Sequence, residues 1–325
     1  MPGTAFSFSA PQFTEDDELK EIEDLTEAER TDIRNDLMGT NTALHETLEL
    51  RQDGIVELQD ELDCISGEEK TAYLQALEEC PAVVQRETSP LLFLRSTKFN
   101  AKLAARRLVE YWKWRLTIFG PEKAFLPMTL QDALRDDREV LEKGWVQVLD
   151  DDDHDRAVIY FEKGRINPMV SSRNSLLRVV WYVHHIVLQK EAAQRNGIVH
   201  VLNMKGYTLK HFDRIGEKYT RVSVLDCLPI RWCALHFPSP SVEKDTVVYE
   251  LLVPVWKHIV GKQMRTRIAL YDEASDLERF GINPESLPES MGGQRSHQEY
   301  GTWLEERRYK ELVIMMNERG NNILN

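Results

Sequence analysis

Apolar positions change their period along this chain, and the change divides it. From Glu68 to Phe119 they recur at helical spacing. A short helix is predicted to end near Cys80 and Pro81, and Ser89-Pro90 starts LLFLRSTKF. Asn100 then caps AKLAARRLVEYWKWRLTIF, whose Leu103, Ala104, Leu108, Tyr111, Trp112 and Ile118 mark one apolar face, and Gly120-Pro121 stops it. After about Gly144 the apolar runs shorten to strand length. GWVQVLD and AVIYFEK flank DDDHDR and predict a hairpin. A helix is expected from about Ser172 to Arg195, its centre LLRVVWYVHHIVL apolar nearly all round, with Gly197 ending it. IVHVLNM is a predicted strand turned by Lys205-Gly206, and Thr208 caps a predicted helix from Leu209 to about Arg221. Strand and helix in alternation argue for an α/β fold with a mixed sheet as its floor, flanking helices, and an all-helical domain before it.

The stretch from Leu228 to Asp272 carries the most unusual pattern. LPIRWCALHFP predicts a strand between Pro229 and Pro238, and Arg265 to Asp272 predicts another. Between them Ser241 caps a helix in which Val247, Val248, Leu251, Leu252, Val255, Trp256, Ile259 and Val260 cover well over half the circumference. An ordinary amphipathic helix has a narrower apolar stripe. Two arrangements satisfy the pattern. The helix is buried under a further layer of protein, or it covers the sheet while touching something apolar that is not in the sequence.

The ends of the chain are more polar. Residues 1–14 read as a loose tail, Thr26 with Glu29 fits a capping box, and Gly39 ends the helix that follows. Leu44, Leu48, Ile55, Leu58, Leu62 and Ile65 fall at heptad spacing, with Arg51 and Gly54 as flaws. The expectation is a helix packed on its own domain rather than a coiled coil. Past Asp272 come Leu287-Pro288 and Gly292-Gly293, a tight loop, then a charged helix from Thr302 with Trp303, Leu304 and Leu312 as anchors. The expected domains are an acidic extension (1–67), a helical domain (68–125), an α/β domain (140–297) and a C-terminal helix (298–325).

Charge sharpens the first of these boundaries. The net charge is −13, yet residues 1–63 hold eighteen Asp or Glu against four Lys or Arg, and the remainder is nearly neutral. Duplex nucleic acid is a poor partner for such a chain. Local basic patches on a neutral body can still meet an anionic bilayer, and the acidic extension is a possible docking surface for a protein. With 42% hydrophobic and 29% charged residues the chain is globular. No run approaches a membrane span, and MPGTAFSFSAPQF lacks a signal-peptide pattern, so a cytoplasmic protein is expected. Cys64, Cys80, Cys227 and Cys233 form neither a C-x-x-C pair nor a disulfide framework.

Little in the sequence suggests catalysis. There is no G-x-S-x-G, P-loop or G-x-G-x-x-G. Asp150 to Asp153 and Asp155 lack the EF-hand order, so a solvated turn is expected there. His184 and His185 are adjacent, point about 100° apart, and read as core or edge histidines rather than metal ligands. No enzyme, metal or cofactor is expected.

LLFLRSTKFNAKLAARRLVEYWKWR and LPESMGG, with the order of elements between them, resemble the CRAL-TRIO lipid-binding family. The resemblance covers about residues 68–293. It implies a sheet-floored cavity for one lipid, expected to be a phospholipid, closed by a gate helix that here would be Val242 to Val260. Val248, Leu251, Leu252, Val255 and Trp256 would then face the guest. Lys98 and Arg267 match headgroup positions of the phosphatidylinositol-binding members, whereas Thr97, Asn203, Ile230 and His236 replace an Arg, an Asp, a Glu and an Asn of theirs. The carboxylate lost at Ile230 would have accepted hydrogen bonds from inositol hydroxyls. Candidate lining residues are Tyr182, Thr208, Trp232, His236 and Phe237. Lys257, Lys262 and Arg265 are candidates for transient contact with an anionic membrane. The implied function is lipid binding and transfer. A carrier of a retinoid, tocopherol or sterol and a lipid-regulated adaptor working through the acidic extension are the alternatives.

Overall fold

The computed structural model describes residues 14–40, 44–167, 169–208, 210–211, 224–238, 257–258 and 260–323. Helices α1 (Glu15–Glu23) and α2 (Glu27–Met38) each open on a capping box, Thr14 with Asp17 and Thr26 with Glu29. Gly39, at φ +74°, closes α2 in the left-handed conformation that glycine adopts without steric cost. Helix α3 (Leu48–Cys64) uses the heptad-spaced residues unevenly. Leu58 and Leu62 are in the core, whereas Leu44, Leu48 and Ile55 are exposed.

The helical domain follows. Helices α4 (Thr71–Glu79), α5 (Pro81–Glu87), α6 (Pro90–Ser96) and α7 (Ala101–Phe119) pack with α3 around Leu94, Leu108 and Trp112. Pro81 and Pro90 each sit in a helix's first turn, where a missing N–H costs nothing. The Asn100 side chain accepts from the Leu103 amide at 3.0 Å, as its cap position predicts. Arg115 is fully buried. It donates to Glu87 and Tyr111, both at 2.8 Å, and to the Leu126 carbonyl at 2.6 Å.

The short helix α8 (Arg138–Glu142) leads into a five-stranded sheet in the order β1 (Val146–Val148), β2 (Ala157–Glu162), β3 (Ile198–Asn203), β4 (Trp232–Pro238), β5 (Ile268–Tyr271). The predicted hairpin is present, β1 running antiparallel to β2, and the other pairs are parallel. The acidic turn between β1 and β2 is less solvated than expected. Asp152 is buried and bonds the Arg156 guanidinium at 2.6 Å.

The long helix breaks into α9 (Arg173–Val187) and α10 (Glu191–Asn196). The Gln194 amide caps the freed Leu188 carbonyl at 2.7 Å and stabilises the break. The strand predicted from Leu228 begins later, at Trp232. Ile198 pairs with Trp232 but Val199 with Ala234, so Cys233 is the extra residue of a bulge. Lys262–Arg265 form the helical turn α11 after Gly261 and delay β5. The tail helix α12 (His297–Ile323) starts earlier than predicted because Ser296 and Glu299 form a capping box. Residues 212–223 and 239–256, which include Val248, Leu251, Leu252, Val255 and Trp256 of the predicted gate, lie outside the described residues.

The sheet has two differently covered faces. Ile159, Phe161, Leu202, Leu235 and Phe237 pack with α9 and the helical domain. Val158, Tyr160, Val199, Val201 and Ala234 pack on the opposite side against Leu277, Ile282, Leu287 and Met291 of the 273–295 segment, with Leu37 of α2. In that segment Gly293 lies so close to Leu287 that a Cβ would fall 2.0 Å from its carbonyl oxygen. Gly293 is therefore fixed by close backbone approach and Gly292 by its left-handed backbone at φ +85°.

Candidate functional site

The parallel strands β2 to β5 are consecutive neighbours stepping in one direction. Helix α9, in the connection from β2 to β3, packs on one face of them. Of the five predicted lining residues, Trp232 and Phe237 point to it. His236 points the other way. It is fully buried against Phe280, ring centroids 4.5 Å apart, and Tyr271. The pleat explains the difference, since neighbours on a strand face opposite sides. Tyr182 lies under the C-terminal helix, its hydroxyl donating to Glu311 at 2.6 Å. Thr208 is exposed, and its hydroxyl lies 2.8 Å from His211 Nδ1.

Trp232 ends a buried polar chain that the sequence did not reveal. The indole Nε1 donates to His200 Nδ1 at 3.2 Å, His200 Nε2 lies 3.0 Å from His184 Nε2, and His184 Nδ1 lies 2.7 Å from the Val180 carbonyl. A carbonyl only accepts, so His184 carries its proton on Nδ1. His200 therefore donates from Nε2, and both rings are neutral. Burial enforces this state, pulling His184 down to about 4 and His200 well below the ordinary histidine value.

The basic candidates lie at the far edge of the sheet, and the acidic extension occupies them. Lys98 sits in a corner between α6 and α7 at φ +52°, followed by Phe99 at φ +62°, a left-handed pair of non-glycine residues. Its ammonium reaches Asp32 at 2.7 Å. Arg267 is buried and bonds Asp32 through Nη2 and Asp36 through Nε, both at 2.9 Å. Asp36 also accepts from Arg231 at 3.0 Å, and its backbone carbonyl accepts from Arg156 Nη1. Asp32 and Asp36 are one helical turn apart and so share a face of α2. That spacing was visible in the sequence, but the partners were not.

The same holds one helix earlier. Lys257 pairs with Glu18 at 2.7 Å, and Arg265 holds Glu21 through two bonds of 2.6 and 2.9 Å. The Glu29 carboxyl is held below its usual range first by the Thr26 amide and hydroxyl, and in smaller part by Lys262.

A cavity of about 510 Å³ opens elsewhere, between the helical domain and α12. Leu92, Met128, His185, Leu188, Arg307 and Met315 are among its lining residues, and none of the predicted site residues is. Among the described residues no three His, Cys, Asp or Glu side chains group to hold a metal ion, and no helix is long and apolar enough to cross a membrane.

Comparison with known proteins agrees with this architecture. The CRAL/TRIO domain family matches residues 141–293. Clavesin-1 of Xenopus laevis is 25% identical over 220 residues, which span 66% of this chain and 62% of that protein. Clavesin-1 of Rattus norvegicus and Clavesin-2 of Homo sapiens are each 24% identical over 220 residues, covering 58% and 63% of their own lengths. The matches thus span about three fifths of these relatives. The sheet, α9 and the Leu287–Gly293 loop all fall within residues 141–293, the stretch over which the chain carries a CRAL/TRIO domain.

Proposed function

We propose that this protein binds one hydrophobic lipid against the α9 face of its sheet and carries or presents it at membranes. The observation that supports this most is the CRAL/TRIO domain at 141–293, with α9 packed on one face of a sheet whose strands β2 to β5 are parallel. Trp232 and Phe237 are the described candidates that would line a cavity there. The gate role of Val248, Leu251, Leu252, Val255 and Trp256 belongs to the same reading. Burying acyl or polyene carbon stabilises the complex by roughly 0.8 kcal/mol per CH₂, so a long chain supplies most of the affinity.

The headgroup reading is weighed by Arg267. Its guanidinium is engaged by Asp32 and Asp36, and Lys98 by Asp32. A phosphate would have to displace carboxylates, one of them buried. That favours a ligand without a phosphate over a phospholipid. Native mass spectrometry of the untreated protein tests both readings. A co-purifying mass of a retinoid, tocopherol or sterol supports the first, a phospholipid mass the second, and a protein that neither retains nor takes up any lipid sinks the carrier.

Exchange requires contact with a bilayer. Lys257, Lys262 and Arg265 follow residues 239–256 and precede β5, and each basic group near an anionic surface contributes about 1 kcal/mol. Lys257→Glu with Lys262→Glu is expected to slow transfer between anionic vesicles severalfold and leave bound lipid in place. Unchanged transfer would remove the membrane role.

A further inference from the structure

The acidic extension is not uniform. Helix α2 is built into the molecule: Asp36 is buried among Arg156, Arg231 and Arg267, and Leu37 packs on the sheet. Helix α1 is not. Its two apolar residues, Leu19 and Ile22, are 59% and 42% exposed. Among the described residues its side chains reach the body through Glu18 to Lys257 and Glu21 to Arg265. These contacts are charge on charge, with the carboxylates 36% and 22% exposed. The cations beneath them are 15% and 8% exposed, and pairs open to solvent on the carboxylate side weaken in salt.

We infer that α1 is an intramolecular latch, a built-in anionic occupant of the basic surface that would otherwise meet a membrane. Lys257 and Arg265 cannot serve Glu18 and Glu21 and a lipid phosphate at once. The latch also ties down the chain at the end of the 239–256 connection, because Arg265 Nη1 donates to the Lys257 carbonyl while its other nitrogens hold Glu21. One carboxylate helix thus fixes two basic groups on either side of Gly261. An anionic surface, with many phosphates and carboxylates at high local density, competes with α1 for the same cations. Helix α2 stays in place as the anchor, and the turn at Asp24 and Leu25 between the two helices is the pivot. The inference rests on the carrier reading only for what the surface is used for.

The test uses the full chain with Glu18→Gln and Glu21→Gln together. Both side chains are partly exposed, so the fold is expected to stand, and Asp36 is untouched. Co-sedimentation is measured with phosphatidylcholine vesicles containing a third phosphatidylserine, at low salt, and with phosphatidylcholine alone. The latch predicts about fivefold tighter binding of the variant to the anionic vesicles, as expected for two surface pairs released. It also predicts no difference on neutral vesicles and faster acylation of Lys257 by a water-soluble reagent. Equal binding of wild type and variant, no binding by either, or an equal gain on neutral vesicles would overturn it. Bound lipid is followed by mass in the same samples. Loss of the latch effect with lipid present leaves the carrier standing, and a latch effect without any lipid leaves the latch standing.

Discussion

The two faces of the sheet solve the same problem in opposite ways. On the α9 face buried polar atoms are joined into a chain, from Trp232 through His200 and His184 to the Val180 carbonyl. On the other face His236 is equally buried, yet among the described residues neither ring nitrogen has a hydrogen-bond partner. That face is instead fixed at its edge by charge, where Asp36 meets Arg231 and Arg267. The difference shows where polar order is invested. The α9 side has a network of rings running from Trp232 into α9, and the other side has a salt-bridged rim, with Asn203 donating to the Tyr160 hydroxyl at 2.8 Å at the strand ends and apolar packing around His236.

Asp36 is where that other side is easiest to break. Asp36→Asn leaves Arg231 and Arg267 buried with less compensating charge, and breaking a buried pair costs about 3 kcal/mol or more. Urea unfolding should show the midpoint fall sharply with an unchanged slope. Asp32→Asn, at a half-exposed carboxylate, is the control and should cost under about 1 kcal/mol. Equal effects would mean that burial does not distinguish the two.

The α9 side has its own weak point in His184. Phenylalanine there removes the acceptor for His200 Nε2 and strands a buried donor, at about 2 kcal/mol. The histidines also set a pH dependence. Folded, His184 and His185 titrate at about 4 and His236 at about 3, and unfolded each returns to about 6.5. Between those values the unfolded chain binds more protons, so stability is full above about pH 6.5 and falls as pH drops toward 4. Urea midpoints at steps across that window should decline, and His184→Phe should flatten the slope. A flat profile in the wild type would mean these rings are protonated in the native state.

Much of this was legible in the sequence, and the limits have physical causes. Period changes exposed the helical region and the succession of strands and helices along the chain because burial on one face imposes periodicity. Caps such as Asn100 and stops such as Gly120 were read from residue type because their chemistry is local. The pairing of Asp32 with Lys98 and Arg267, or of Glu18 with Lys257, was not legible, since long-range ion pairs leave no periodic trace. The acidic extension read as a solvated face, with a protein partner as an alternative, and the structure pairs its Glu18, Glu21, Asp32 and Asp36 with basic groups of the body. His236 was read as lining with Phe237. Adjacent residues on a strand face opposite ways, and the Cys233 bulge, which no residue type announces, decides which faces where.

The smallest effect sharpens the comparison most. If the side opposite α9 is held by its rim and its apolar packing, the His236 ring contributes shape and not hydrogen bonds. An unpaired buried polar atom costs about 1–3 kcal/mol, and replacing it by an apolar group of the same shape recovers part of that. His236→Phe should therefore be neutral or stabilising by up to about 1 kcal/mol, while the same substitution at His184 destabilises. It should also remove one group from the acid-labile set, since burial holds His236 down to about 3. Thermal and urea unfolding of the two variants side by side measure this directly. A His236→Phe protein as damaged as His184→Phe would show that the His236 ring is hydrogen-bonded after all, and the contrast between the two faces would fall.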